Sequence, residues 1–279
     1  MAKNAFYAQS GGVSAVINAS ACGVLQTARQ HSAKIGKVYA GRNGIIGALT
    51  EDLIDTSFES DAAIAALKHT PGGAFGSCRY RLGSITERRS QYDRLIEVFR
   101  AHDIGFFFYN GGGDSQDTAY KVSRIGAELG YPIKCVGIPK TIDNDLPITD
   151  CSPGFGSVAK YVATSLREAA FDLVAMSRTS TQVFVLEVMG RHAGWITAAC
   201  ALAADQEGEA PHILLLPESR STRNDSWPKA RRLWSGTAYA SLPCQKGSRD
   251  RTVSSLQPQA YQTRSAMHSW VGLPQLSPT

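Results

Sequence analysis

The stretch Pro139-Lys140-Thr141-Ile142-Asp143-Asn144-Asp145 sets two carboxylates, a carboxamide, a hydroxyl and an ammonium within six residues. A connection between a buried strand and a helix has little use for that polarity unless it faces a polar ligand. A carboxylate there can take the proton of an attacking hydroxyl, while Lys140 and a divalent cation balance charge on a transferring phosphoryl group. A solvated turn is the plainer reading of the same residues.

Three other turns carry the same kind of chemistry. Ser10-Gly11-Gly12-Val13-Ser14 lets backbone amides approach an anion at a helix N-terminus, although a tight strand–helix turn without ligand would look alike. Tyr109-Asn110-Gly111-Gly112-Gly113-Asp114-Ser115 spends backbone entropy on three successive glycines, which marks close approach to a ligand or a strained turn. Asp114 suits either a Mg²⁺ ion bridging phosphate oxygens or the cap of the following helix, and the two roles are compatible. In Glu187-Val188-Met189-Gly190-Arg191-His192, Arg191 suits phosphate or sugar hydroxyls, or is a plain surface arginine. His192 reads as a helix-start residue.

Each turn must be held by a strand before it and a helix after it. Apolar runs predict strands at 5–8, 37–40, 105–109, 133–138, 183–188 and 212–216, and helical periodicity predicts helices at 14–31, 84–102, 115–129, 157–176 and 192–204. Ser84-Ile85-Thr86-Glu87 is a capping box expected to open its helix. The strands are apolar on both sides, which suits a parallel α/β sheet covered by helices on both faces. Such sheets gather ligands at the carboxyl ends of their strands, where all four turns lie.

Composition excludes several classes. With 43% hydrophobic and 19% charged residues among 279, the chain reads as globular, and no apolar run approaches the ~18 residues of a membrane span. Met1-Ala2-Lys3-Asn4 leads directly into a strand-like run without a signal-peptide core, so a cytoplasmic location is expected. The six cysteines show no CxxC pair or zinc spacing and are expected to be free thiols. Residues 219–279 hold nine Lys or Arg and two Asp or Glu, +7 against a whole-chain charge of +5, so residues 1–218 carry −2. Basicity thus belongs to the tail, and neither a nucleic-acid nor a membrane partner is expected of the body.

Ser10–Gly12 with Asn18, Gly111–Ser115, Thr141–Asp145, Pro153-Gly154-Phe155-Gly156-Ser157 and Met189-Gly190-Arg191 follow the order seen in phosphofructokinases. The chain resembles this family over about four fifths of its length, and within it the pyrophosphate-dependent type. The ATP-dependent type usually has Gly-Gly-Asp-Gly-Ser where this chain reads Gly111-Gly112-Gly113-Asp114-Ser115, and Gly in place of Lys140. The resemblance implies a Rossmann-like parallel-sheet fold of two domains, 1–139 binding the phosphate donor and 140–218 binding fructose 6-phosphate. It implies phosphoryl transfer from pyrophosphate to the sugar 1-hydroxyl with Mg²⁺, in glycolysis, by a homodimer or homotetramer. Asp143 would be the base, assisted by Lys140 and Asp114. Thr141, Ile142, Asp143, Met189, Gly190 and Arg191 would bind the sugar phosphate. Gly11, Gly12, Arg79, Gly111, Gly112, Gly113 and Ser115 would bind the donor's phosphates. Asp114 would serve as metal ligand, since Gly113 stands at the family's Mg²⁺ position and offers no side chain. The carboxylate of Asp114 would also mimic a nucleotide's α-phosphate and repel ATP.

The sequence departs from the family at Val13, Ser14 and Ala15, at Gln182 where relatives often carry a cation, and after Leu215-Leu216-Pro217-Glu218. Residues 219–279, rich in Ser, Arg, Gln and Trp, are expected to be a basic, low-order tail read in a shifted frame, leaving the fold incomplete at its C-terminus. An ATP-dependent phosphofructokinase and a truncated, non-catalytic sugar-phosphate-binding relative remain alternatives, as does nucleic-acid binding through the tail.

Overall fold

The run Ala5-Phe6-Tyr7-Ala8 is apolar on both of its faces and must be covered on both. It forms the middle of β1 (Lys3–Gln9), where all four residues are fully buried. The computed structural model describes residues 2–179, 183–218 and 240–245, which fall into two compact units, Met1–Ser157 and Val158–Thr279.

In the first unit the chain runs β1, α1 (Ile17–Gln30), β2 (Ile35–Gly41), α2 (Ile45–Leu49), β3 (Leu53–Asp55), α3 (Asp61–Ala66), α4 (Arg89–Ala101), β4 (Ile104–Gly111), α5 (Gly113–Glu128) and β5 (Lys134–Pro139). The sheet order is β3-β2-β1-β4-β5, parallel except for the antiparallel edge pair β2–β3. Alternate side chains of β1 feed two cores. Phe6 and Ala8 join Tyr92, Leu95, Phe99, Phe107 and Val122 on one face. Ala5 and Tyr7 join Ala21, Leu25, Val38 and Ile64 on the other. Phe6 lies 5.3 Å from Phe99 and 5.7 Å from Phe107 between ring centroids, and burying each such ring stabilises by roughly 1.5–3 kcal/mol. The expected Rossmann-like α/β arrangement is present.

In the second unit are α6 (Phe155–Met176), whose first turn straddles the boundary, β6 (Val183–Val188), α7 (Trp195–Ala199) and β7 (Ala240–Gln245). β6 and β7 pair in parallel, Val183 with Ala240 through Val188 with Gln245. β7 falls within the segment expected to be a low-order tail; the rest of that segment, and Gln182, lie outside the described residues.

Three expectations need correction. The segment 212–216 is no strand; only Leu215 makes a bridge, and the flanking Pro211 and Pro217 bring no amide donors to a ladder. The helix expected from Ser84 begins at Arg89. Ser84 Oγ does accept from Glu87 N at 3.3 Å and donate to Glu87 Oε2 at 2.8 Å, but Arg88 leaves helical geometry (φ −123°, ψ 33°), so the capped turn does not propagate. The helix expected over 192–204 is reduced to α7 and a 3-10 turn, Cys200–Ala203. Its start is delayed by a turn closed by Ala193 N donating to Gly190 O at 2.6 Å.

Candidate functional site

From β1 the chain moves to β2 on one side of the sheet, while β4 and β5 lie on the other. The β1–β4 junction is therefore the switch point of the sheet, the place where open α/β folds form a crevice beyond the strand ends. The turns after β1, β4 and β5 are neighbours there. Ser10 N donates to Asn110 O at 2.8 Å, and Lys140 N to Gly111 O at 3.1 Å.

The glycines of these turns differ in what they permit. Gly11 has φ +78°, and a Cβ there would stand 3.2 Å from Lys140 Nζ. A Cβ at Gly111 would overlap Ser115 Oγ, so close packing between β4 and α5 explains that glycine. Around Gly113 lies open space, and around Gly112 only Lys140 O comes within reach, at 3.9 Å. The first turn is pinned by a segment far away in sequence. Gly11 N donates to Cys78 O at 2.9 Å and Ser77 Oγ donates to Gly11 O at 2.7 Å. The Gly11 amide is thus engaged by the backbone, and what the glycine offers a ligand is close approach.

Lys140 is buried, 5% exposed, with Nζ donating to Gly12 O at 2.5 Å. Burial holds its pKa below the usual lysine value of 10.5; the Arg79 guanidinium lowers it further, and the Asp143 carboxylate opposes both. Arg79 Nη2 lies 3.7 Å from the position of a Gly12 Cβ. Lys140, Arg79 and Asp143 thus share one electrostatic neighbourhood at the first glycine turn.

Asp143 sits in a loop that ties to itself. Its amide donates to Thr141 Oγ1 at 3.1 Å, and that hydroxyl donates to Asp145 Oδ1 at 3.1 Å. Thr141 N donates to Pro153 O at 3.0 Å. Asn144, buried at φ +54°, accepts from Ser152 N at 2.7 Å and donates to Asp150 O at 3.2 Å. Ile142 is half-buried beside them.

Asp114 lies in the first turn of α5, where the helix dipole favours a carboxylate. Its side chain is 75% exposed, with Arg81 Nε 3.7 Å from Oδ1. Among the described residues no three His, Cys, Asp or Glu side chains gather into a metal cage. Mg²⁺ commonly takes one or two carboxylates together with substrate phosphates, so an exposed Asp114 fits as a single protein ligand of an ion shared with a phosphate donor. Ser115 is buried behind it.

Met189, Gly190 (φ +112°) and Arg191 belong to the second unit, at the carboxyl end of β6, with Met189 and Arg191 exposed. Sequence reasoning missed Arg81, which stands two residues after Arg79 in a segment without regular secondary structure and whose Nε lies 3.7 Å from Asp114 Oδ1.

The phosphofructokinase family model matches residues 4–244. The chain is 71% identical over 217 residues to a protein of Methylococcus capsulatus named pyrophosphate–fructose 6-phosphate 1-phosphotransferase, covering 78% of this chain and 52% of that one. A protein of the same name from Halomonas elongata is 70% identical over 215 residues, covering 77% and 51%. The crystal structure of a pyrophosphate-dependent phosphofructokinase from Marinobacter aquaeolei matches with a TM-score of 0.84 and 62% identity, covering 92% of this chain and 64% of that one. The chain spans about half the length of the first two relatives.

Proposed function

Because the chain belongs to the phosphofructokinase family, we propose that it carries the catalytic core of a phosphotransferase that moves a phosphoryl group from pyrophosphate to the 1-hydroxyl of fructose 6-phosphate. The products are fructose 1,6-bisphosphate and phosphate, and the transfer is reversible. Enzymes of this family generally use Mg²⁺.

The observation that carries the reading is the Lys140 ammonium, buried against the first glycine turn and sharing its electrostatic surroundings with Arg79 and Asp143. A buried cation that a second cation pushes toward neutrality is costly by itself. A small, densely charged anion offsets that cost, and pyrophosphate brings no nucleoside to contribute affinity of its own. In this reading Asp143 takes the proton of the sugar 1-hydroxyl as its oxygen attacks the donor phosphorus. Lys140 and Arg79 balance the charge that spreads over the transferring group. The loops of Gly11–Gly12 and Gly111–Ser115 bring the donor close to the backbone. Asp114 holds the metal and repels the α-phosphate of a nucleotide. Mg²⁺, when bound, neutralises charge on the phosphate oxygens. Thr141, Ile142, Met189, Gly190 and Arg191 bind fructose 6-phosphate. The functional division falls after Pro139, with the donor domain before it and the acceptor domain over 140–218, and the working enzyme is a cytoplasmic homodimer or homotetramer.

The test is an assay of the purified chain with pyrophosphate and ATP side by side. Formation of fructose 1,6-bisphosphate with pyrophosphate alone supports the reading; turnover with ATP alone rejects it.

A further inference from the structure

A buried network of carboxamides lies beneath the first glycine turn. Asn18, in the first turn of α1, is 1% exposed. Its Oδ1 accepts from Ala74 N at 2.9 Å and from Gln9 Nε2 at 3.0 Å, and its Nδ2 donates to Thr70 O at 2.9 Å. Gln9 is the last residue of β1, immediately before the turn. Asn110, at the end of β4, donates through Nδ2 to Tyr7 Oη at 2.9 Å and to Ile17 O at 3.0 Å, which holds the start of α1 to the sheet.

Thr70 and Ala74 open the segment that ends in Gly76-Ser77-Cys78-Arg79. That segment returns to the glycine turn through the bridge of Cys78 with Ser10, the Gly11 N to Cys78 O bond and the Ser77 Oγ bond to Gly11 O. It is therefore fixed at both ends, by Asn18 at its start and by the turn at its finish. A buried amide adds little net stability over an apolar side chain of like size; what it specifies is register. Here the register decides where the Arg79 guanidinium stands relative to Gly12, 3.7 Å from the position of its absent Cβ.

We infer that Asn18 is a positioning residue that sets Arg79 against the first glycine turn and thereby sets affinity for an inorganic diphosphate. The inference rests on the donor reading above. Asn18 acts through Arg79 and touches neither substrate, so its effect falls on the donor and leaves the sugar phosphate unaffected.

The experiment is calorimetric titration of the full chain with inorganic pyrophosphate and, separately, with fructose 6-phosphate. Asn18→Ala weakens pyrophosphate binding roughly tenfold, the scale of a lost hydrogen bond to a positioned charged group, and leaves fructose 6-phosphate affinity within about twofold. In an Arg79→Ala background the same substitution adds little further loss, as coupled residues must. Unchanged pyrophosphate binding by Asn18→Ala, or additive losses in the double variant, overturns the inference alone. Absence of pyrophosphate binding by the unaltered chain overturns the donor reading and the inference with it. If Asn18→Ala does not fold, hydrogen exchange at the Ala74 amide of the unaltered chain decides. Exchange slowed further by pyrophosphate and not by fructose 6-phosphate supports the inference, and exchange indifferent to pyrophosphate overturns it.

Discussion

The turn after β1 and the loop after β5 stand at strand ends separated by β4, and they are built in opposite ways. Ser10–Gly12 makes few bonds within itself and is held from outside, by Cys78, Ser77, Asn110 and the Lys140 ammonium. The loop over 141–153 is held mostly by its own side chains, with Thr141 closing on Asp143 and Asp145, and Asn144 on Asp150 and Ser152. A turn held from outside transmits distant changes to its ligand. A loop that closes on itself keeps its shape when the surroundings shift. The same contrast separates the two halves of the proposed reaction: the donor side depends on residues spread from Asn18 to Lys140, and the base on the consecutive residues 141–153.

Substitutions that cross or respect this contrast test it. The largest effect is expected of Asp143→Asn, which removes the base and leaves the loop's backbone bonds in place. It should lower kcat by roughly 10²–10⁴-fold while fructose 6-phosphate binding persists in calorimetry; a wild-type rate rejects the assignment. Next comes the donor side itself. Asp114→Gly combined with Lys140→Gly removes the repelling carboxylate, which is also the proposed metal ligand, together with the buried cation; it should lose pyrophosphate turnover, while ATP, no longer repelled, should bind more tightly in calorimetry.

Smaller effects follow on stability. Asn144→Ala leaves the Ser152 amide without its acceptor and should cost about 1–3 kcal/mol in denaturant unfolding, with a raised KM for fructose 6-phosphate and an unchanged KM for pyrophosphate. A rise in both KM values would show that the two regions are not independent. Arg81→Ala breaks an ion pair whose partners are 71% and 75% exposed. It should change stability by well under about 1 kcal/mol, and only the donor's KM should move.

Much of this arrangement was legible in the sequence because it is local. The strand expected over 183–188 is β6 itself, and the four polar turns fall at strand ends, since period and glycine placement are read within ten residues. What escaped depends on partners far along the chain. β3 is three residues long and exists as an antiparallel edge to β2, with Lys37 Nζ 2.7 Å from Asp55 Oδ2 at that edge. No short window announces such a strand. The segment 212–216 looked like a strand by composition, but pairing is a property of two segments, and β6 pairs with β7 instead. Among site residues, Lys140, Asp143 and Asp114 stood out by type. The contribution of Asn18 beyond its motif, and the role of Arg81, required knowing what they face.

Lys140 joins the two regions, with its backbone at the end of β5 and its ammonium on the first glycine turn. Its depressed pKa has a definite sign. Below the folded value the ammonium is charged at a cost to the fold. Between that value and 10.5 the unfolded chain holds the proton that the folded chain has released, so stability rises with pH through this window. A bound pyrophosphate reverses the balance by favouring the charged form. The most direct test is an NMR titration of the Lys140 ammonium with and without inorganic pyrophosphate. The predicted result is a pKa below 10.5 in the free protein that moves upward when pyrophosphate binds. An ordinary lysine value that pyrophosphate leaves unmoved would contradict the placement of the donor at this cation.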